Sequence, residues 1–249
     1  MCCFSRRVEL VSDTNIFARP SKDGRQFLVY SMTFKAGEEL AMILPIPTPK
    51  DSKEDAVKFI NLEKYDNFFA EMRSGFPLTL SDSNSPHRGS KKDDLPGRKL
   101  VTVDVGSFVA SFVPSVKDFS RLDDQFKLPT EIWDKLPQYK EWGFAVFQLK
   151  KGHLKIHPMA LEYPRADAKK LFFPTVHIHD GSVPKKAKFD HMLFCQGPDS
   201  DRLMEWEETP GLAESFMTKL DKAQGIVDAK AHVYRKAMSG MFDNKDVLV

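Results

Sequence analysis

Short runs of alternating apolar residues, each closed by proline, glycine or a charge cluster, recur along this chain and constrain its fold most. Residues 8–19 and 26–34 flank PSKDG, a turn cluster in which Gly24 supplies backbone freedom. Residues 40–46 follow KAGEE and end at Pro45, Pro47 and Pro49. These three runs predict an antiparallel meander. Residues 100–113 resume strand character, with Val101, Val103 and Val105 alternating with polar partners. Residues 143–149 and 153–159 flank Lys150-Lys151-Gly152, a hairpin signal. Residues 172–179 and 189–195 form the next candidate pair, around a Gly/Pro/Lys loop.

Helical signals are fewer. DNFFAEMR at 66–73 has Asp66 as an N-cap and ends before Gly75 and Pro77. Residues 116–139 mix turns and short helices, with Pro129 and Thr130 at a helix start. At 209–239 a C-terminal helical segment is expected. Thr209 caps it, Pro210 opens it, Leu212, Phe216 and Leu220 line one face, and a weaker helix follows Gly225. Residues 80–99, LSDSNSPHRGSKKDDLPGRK, are too polar to bury a core and predict a flexible surface insertion. The expectation is an α+β fold: one antiparallel β-rich domain over 1–249 with a few peripheral helices.

Composition narrows the function classes. A chain of 249 residues with 20 Phe can bury a large core. Its net charge of +2 creates no strong field, so nucleic acid is not an expected partner. No apolar run reaches the ~18–20 residues that a spanning helix needs, so no membrane is expected either. The opening MCCFSRRVELV has no secretory pattern, and three cysteines, two adjacent, suit a reducing compartment. A cytoplasmic protein is expected.

Candidate chemistry concentrates in LFFPTVHIHDGSVPKKAKFDHMLFCQ at 171–196, with three of the seven histidines. In an extended chain His177 and His179 share one face, and His191 and Cys195 share another. Pairing of the two runs would converge them into a site for copper, zinc or iron. The expected metal ligands are His177, His179, His191 and Cys195, with Cys2 and Cys3 as soft additions. His191 and Cys195 are ~13 Å apart on a straight strand, so both reach one ion only if the strand bulges. Asp180 and Asp190 are candidates for further ligands or for acceptors that fix the histidine tautomers, and His153 and His157 share a face on the preceding hairpin from which they could contribute.

Two alternatives stand beside that site. A sheet whose histidines are satisfied by carboxylates and backbone makes a noncatalytic β-sheet interaction protein. Removal of Met1 would expose Cys2 as the nucleophile of an N-terminal cysteine hydrolase, with the freed amine as base. HRG at 87–89 is similar to part of the substrate loop in that class. RLMEWEE at 202–208 offers carboxylates without a partner. There is no GxSxG, Walker, HExxH or CxxC sequence.

The segments MCCFS, DTNIFAR, GRQFLVYSM, ELAMILPIP, VGSFVASFVPS, FSRLDDQF, GFAVFQLK, HPMALEYP and LFFPTVHIHDG resemble an uncharacterised bacterial family, a domain of unknown function. The resemblance spans nearly the whole chain outside 80–99. It implies a single bacterial domain and adds no activity.

Overall fold

The computed structural model describes residues 3–77, 102–106, 108–178, 182–198 and 200–249. In chain order the strands are β1 (Cys3–Phe4), β2 (Leu10–Pro20), β3 (Arg25–Ala36), β4 (Leu40–Ile46) and β5 (Lys58–Asn61). Then come β6 (Thr102–Val105), β7 (Phe108–Val113), β8 (Gly143–Leu149), β9 (Gly152–Lys155) and β10 (Met159–Pro164). The last are β11 (Phe172–Phe173), β12 (Lys186–Cys195), β13 (Glu207–Glu208), β14 (Tyr234–Asp243) and β15 (Val247–Leu248). Helices α1 (Phe68–Ser74) and α2 (Thr130–Asp134) are short, and 3₁₀ turns supply the other helical backbone.

The strands form a five-stranded sheet, β1-β4-β8-β7-β6, and an eight-stranded sheet, β13-β14-β12-β2-β3-β10-β5 with β9 also on β3. The β-rich α+β expectation holds in this coarse form. The purely antiparallel expectation does not, because β12 runs parallel to β2, with His191 opposite Thr14 and Cys195 opposite Ala18. A parallel neighbour requires a long crossover, and here most of the chain lies between the two strands.

Alternation of side chains places the core. Leu28 and Tyr30 of β3, with Leu193 and Cys195 of β12, pack against Met42, Leu44 and Phe147 of the smaller sheet. The far side of the smaller sheet, Ile43, Phe144 and Val146, is covered by Phe119, Trp133 and Tyr139. The far side of the larger sheet, Phe17, Val29 and Phe194, is covered by α1 and by Met217 and Ile226. Both sheets are therefore buried on two faces, which is why β4 is apolar at every position.

Three expected pairings are corrected. β2 and β3 do form the hairpin around PSKDG, but β4 leaves for the other sheet and pairs with β8 and β1. β8 and β9 are not a hairpin either: β8 pairs with β4 and β7, whereas β9 pairs with β3. β11 pairs with β15, not with β12. The helical segment expected over 209–239 is instead two 3₁₀ turns followed by β14. Backbone bonds to the turn that precedes β14 replace the helical ones: Ala213 N donates to Ala231 O at 3.0 Å and Glu214 N to Ala229 O at 3.1 Å. The segment 80–99 lies outside the described residues, between α1 and β6.

Candidate functional site

The histidine region is built from three pieces: the irregular run 174–178, strand β12, and the connection between β14 and β15. Residues 174–177 belong to no strand, and side chains hold much of their backbone. Asp246 Oδ1 accepts from Thr175 N at 2.8 Å and Val176 N at 3.1 Å. Its Oδ2 accepts from the Tyr139 hydroxyl at 2.5 Å. Asn244 Oδ1 accepts from His177 N at 2.7 Å, and its amide donates to His177 O and Pro184 O, each at 3.0 Å. Short Asx side chains compete well for backbone groups, so they substitute here for a missing strand.

This clasp sets the His177 ring against Phe189, 4.3 Å between centroids, and against His191, 5.1 Å. Phe189 in turn meets Phe242 edge-on at 5.7 Å. Both imidazoles are buried, at 6% and 4% exposure. Opposite His191, β2 is irregular: the register shifts between Ser12 and Asn15, and Asp13 takes φ 49°. Arg73 steadies the irregularity by donating to Asn15 Oδ1 at 2.8 Å and Asp13 Oδ1 at 3.2 Å. The Thr14 hydroxyl beside it is buried without a hydrogen-bond partner among the described residues.

On the other flank, β1 joins the region. Cys3 bridges to Ile178, and Phe4 N donates to Ile178 O at 3.1 Å. The Asp246 carboxyl is pushed above the ordinary aspartate value by burial, against the pull of the bonds it accepts from Tyr139, Val176 and Thr175. Burial likewise raises the Tyr139 phenol and, on β12, the Cys195 thiol. A thiol so placed stays protonated, which makes it a poor ligand and a poor nucleophile.

The expected metal centre is therefore corrected. His177 and His191 do come together, and Cys3 is tied to the adjacent residue Ile178. But among the described residues no three His, Cys, Asp or Glu side chains gather around a point that would hold an ion. Cys195 lies four positions beyond His191 on a regular strand, continuously paired to β14. His179 and Cys2 lie outside the described residues. The pair is seated on Phe189 as part of the packing. Asn244, Asp246 and Tyr139 were not legible as partners of this segment. The one available signal was the polar run DNKD in FDNKDVLV, with apolar residues at either end.

No family model matches the chain. No curated protein matches it either. Solved structures do. A mutated baculovirus P35 after caspase cleavage superposes with TM-score 0.52 at 16% identity, over 95% of this chain and 99% of that one. The caspase-8/P35 complex gives 0.50 at 15%, over 95% of both chains. The fold is shared with P35 across nearly the whole length. The bacterial and metal-binding readings are corrected: the matching folds are of a baculovirus protein, which gives a bacterial source no support, and no ligand set gathers among the described residues.

Proposed function

We propose that this chain is a noncatalytic β-sheet protein that acts by binding a protein partner, and that the partner is a caspase-class protease. The observation that carries the reading is the end-to-end match of folds with P35, whose structures include a caspase-8 complex and a caspase-cleaved form. Two features of the chain agree with it. The histidine region is packed shut by ring contacts and backbone bonds, an arrangement that stabilises a scaffold. The described cysteines, Cys3 and Cys195, are both buried thiols outside any disulfide, which suits a reducing compartment such as the cytoplasm. No helix among the described residues is long and apolar enough to cross a membrane.

The test is direct. Purified caspase-8 is mixed with increasing amounts of the chain, its residual peptidase activity is read, and the chain is examined by intact mass. Loss of protease activity together with a stable complex, or a single defined cut in the chain, supports the reading. Full protease activity at large excess of an intact, folded chain that does not bind overturns it. Repeating the mixture with 80–99 shortened then locates the contact: loss of inhibition places it in that polar segment.

A further inference from the structure

We propose that the outer edge of β14 pairs with the same edge of a second copy of this chain, in antiparallel register centred on Ser239. β14 is ten residues long, yet its outer neighbour β13 covers only Arg235 and Tyr234. Thr209 N also donates to Val233 O, which fixes the parity: the odd-numbered residues turn their backbone groups outward. On the inner side Asn244 N donates to Lys185 O, so the even-numbered residues face β12. Ala237, Ser239 and Met241 therefore present N–H and C=O groups to the open side. None of these groups has a partner among the described residues.

An open edge is ordinarily guarded by lysine, proline or a covering loop. Here Ala237 to Phe242, AMSGMF, carries neither charge nor proline. Met241 and Phe242 are 64% and 39% exposed, and Met204 beside the edge is 88% exposed. A cleft opens there, with Trp206, Lys236, Met238 and Phe242 in its wall.

The sequence of the edge complements itself. A two-fold axis at Ser239 sets Ala237 against the partner's Met241, and Met238 against the partner's Gly240, so each large side chain faces a small one. Gly240 has φ 117°, and nothing lies within 4 Å of where a Cβ would stand, which leaves room for a methionine. Phe242 falls against the partner's Lys236, whose aliphatic stem suits an aromatic face while its ammonium stays on Glu205. An interface related by a two-fold axis needs this reciprocity.

Sedimentation or light scattering over a concentration series tests the pairing. The expected mass rises from 28.4 kDa to twice that value. Ser239→Pro removes one outward N–H without touching the β12 ladder, and Met241→Lys adds a charge that the pairing would bury against its copy. Each variant should remain at 28.4 kDa with unchanged circular dichroism. Should one variant unfold, the other still decides. Ser239→Cys should give a covalent dimer on oxidation. A wild-type chain that stays monomeric at every concentration, or dimers that survive both edge substitutions, would overturn the proposal.

Discussion

Asp246 shows how one carboxyl can hold a segment that no sheet holds. Its two oxygens satisfy Thr175, Val176 and Tyr139 together. Asp246→Ala leaves these donors buried and unmet, at a cost of ~1–3 kcal/mol in urea unfolding. Asp246→Asn keeps an oxygen for the two amides and removes the charge. The sign of its pH dependence follows from the raised carboxyl. The folded state holds the proton more tightly than the unfolded chain, so wild-type stability falls as pH rises from about 4 toward the folded value. The Asn variant lacks that fall. Its unfolding midpoint, relative to wild type, should therefore be more favourable at pH 7 than at pH 4. Gln26 makes a comparable reciprocal pair, donating to Phe172 O at 2.7 Å and accepting from Phe172 N at 3.1 Å, wholly buried. Gln26→Leu should cost a similar ~1–3 kcal/mol, read in the same way.

At the scale of elements, packing decided what local pattern left open. The β2–β3 hairpin was legible because PSKDG is a turn by its own chemistry, with Gly24 at φ 70°. Strand character over 100–113 and the helix at α1 were legible too, but the folding of β6 onto β7 was not, and the residue at the helix start is Asn67 rather than the expected Asp66. Partners at long range were not. β4 is buried at all seven positions, so it reads equally well as an inner strand of either sheet. The 209–223 run has helical spacing, yet Thr209 donates its hydroxyl to Gly211 O and accepts from Val233 N, pinning the backbone to the start of β14. Of the candidate site, the nearness of His177 to His191 was legible in rough outline. What the imidazoles pack against was not, because Asn244 and Asp246 arrive from far along the chain. Gly143, at the start of β8, offers a test of the two-sheet packing. A Cβ there would lie 2.4 Å from Phe112 and 2.8 Å from Thr48 Oγ1, which itself accepts from Gly143 N. Gly143→Ala should destabilise by at least ~1–3 kcal/mol, seen as a lower thermal midpoint.

Across the whole molecule, most of the pairing joins residues distant in sequence, as in β12 with β2 and β10 with β3. Such a topology tolerates changes in connector length better than changes in its ladders. Replacing 80–99 by a few Gly and Ser residues should shift the unfolding free energy by less than ~1 kcal/mol, because closure entropy varies slowly with length. A large loss in a denaturant titration would show that this segment contributes to the core.

The clasp at 244–246 has a consequence for the nascent chain. The residues that fasten 175–177 leave the ribosome some seventy positions after the run they fasten. β11 likewise waits for β15, through Phe172 with Leu248 and Phe173 with Val247. During synthesis the apolar stretch from Leu171 to Ile178, buried in the finished fold, stands without its lock. Exposed stretches of this kind are what chaperones hold. Production of this protein is therefore expected to depend on chaperone supply, and chains stopped before Asn244 should partition into aggregates.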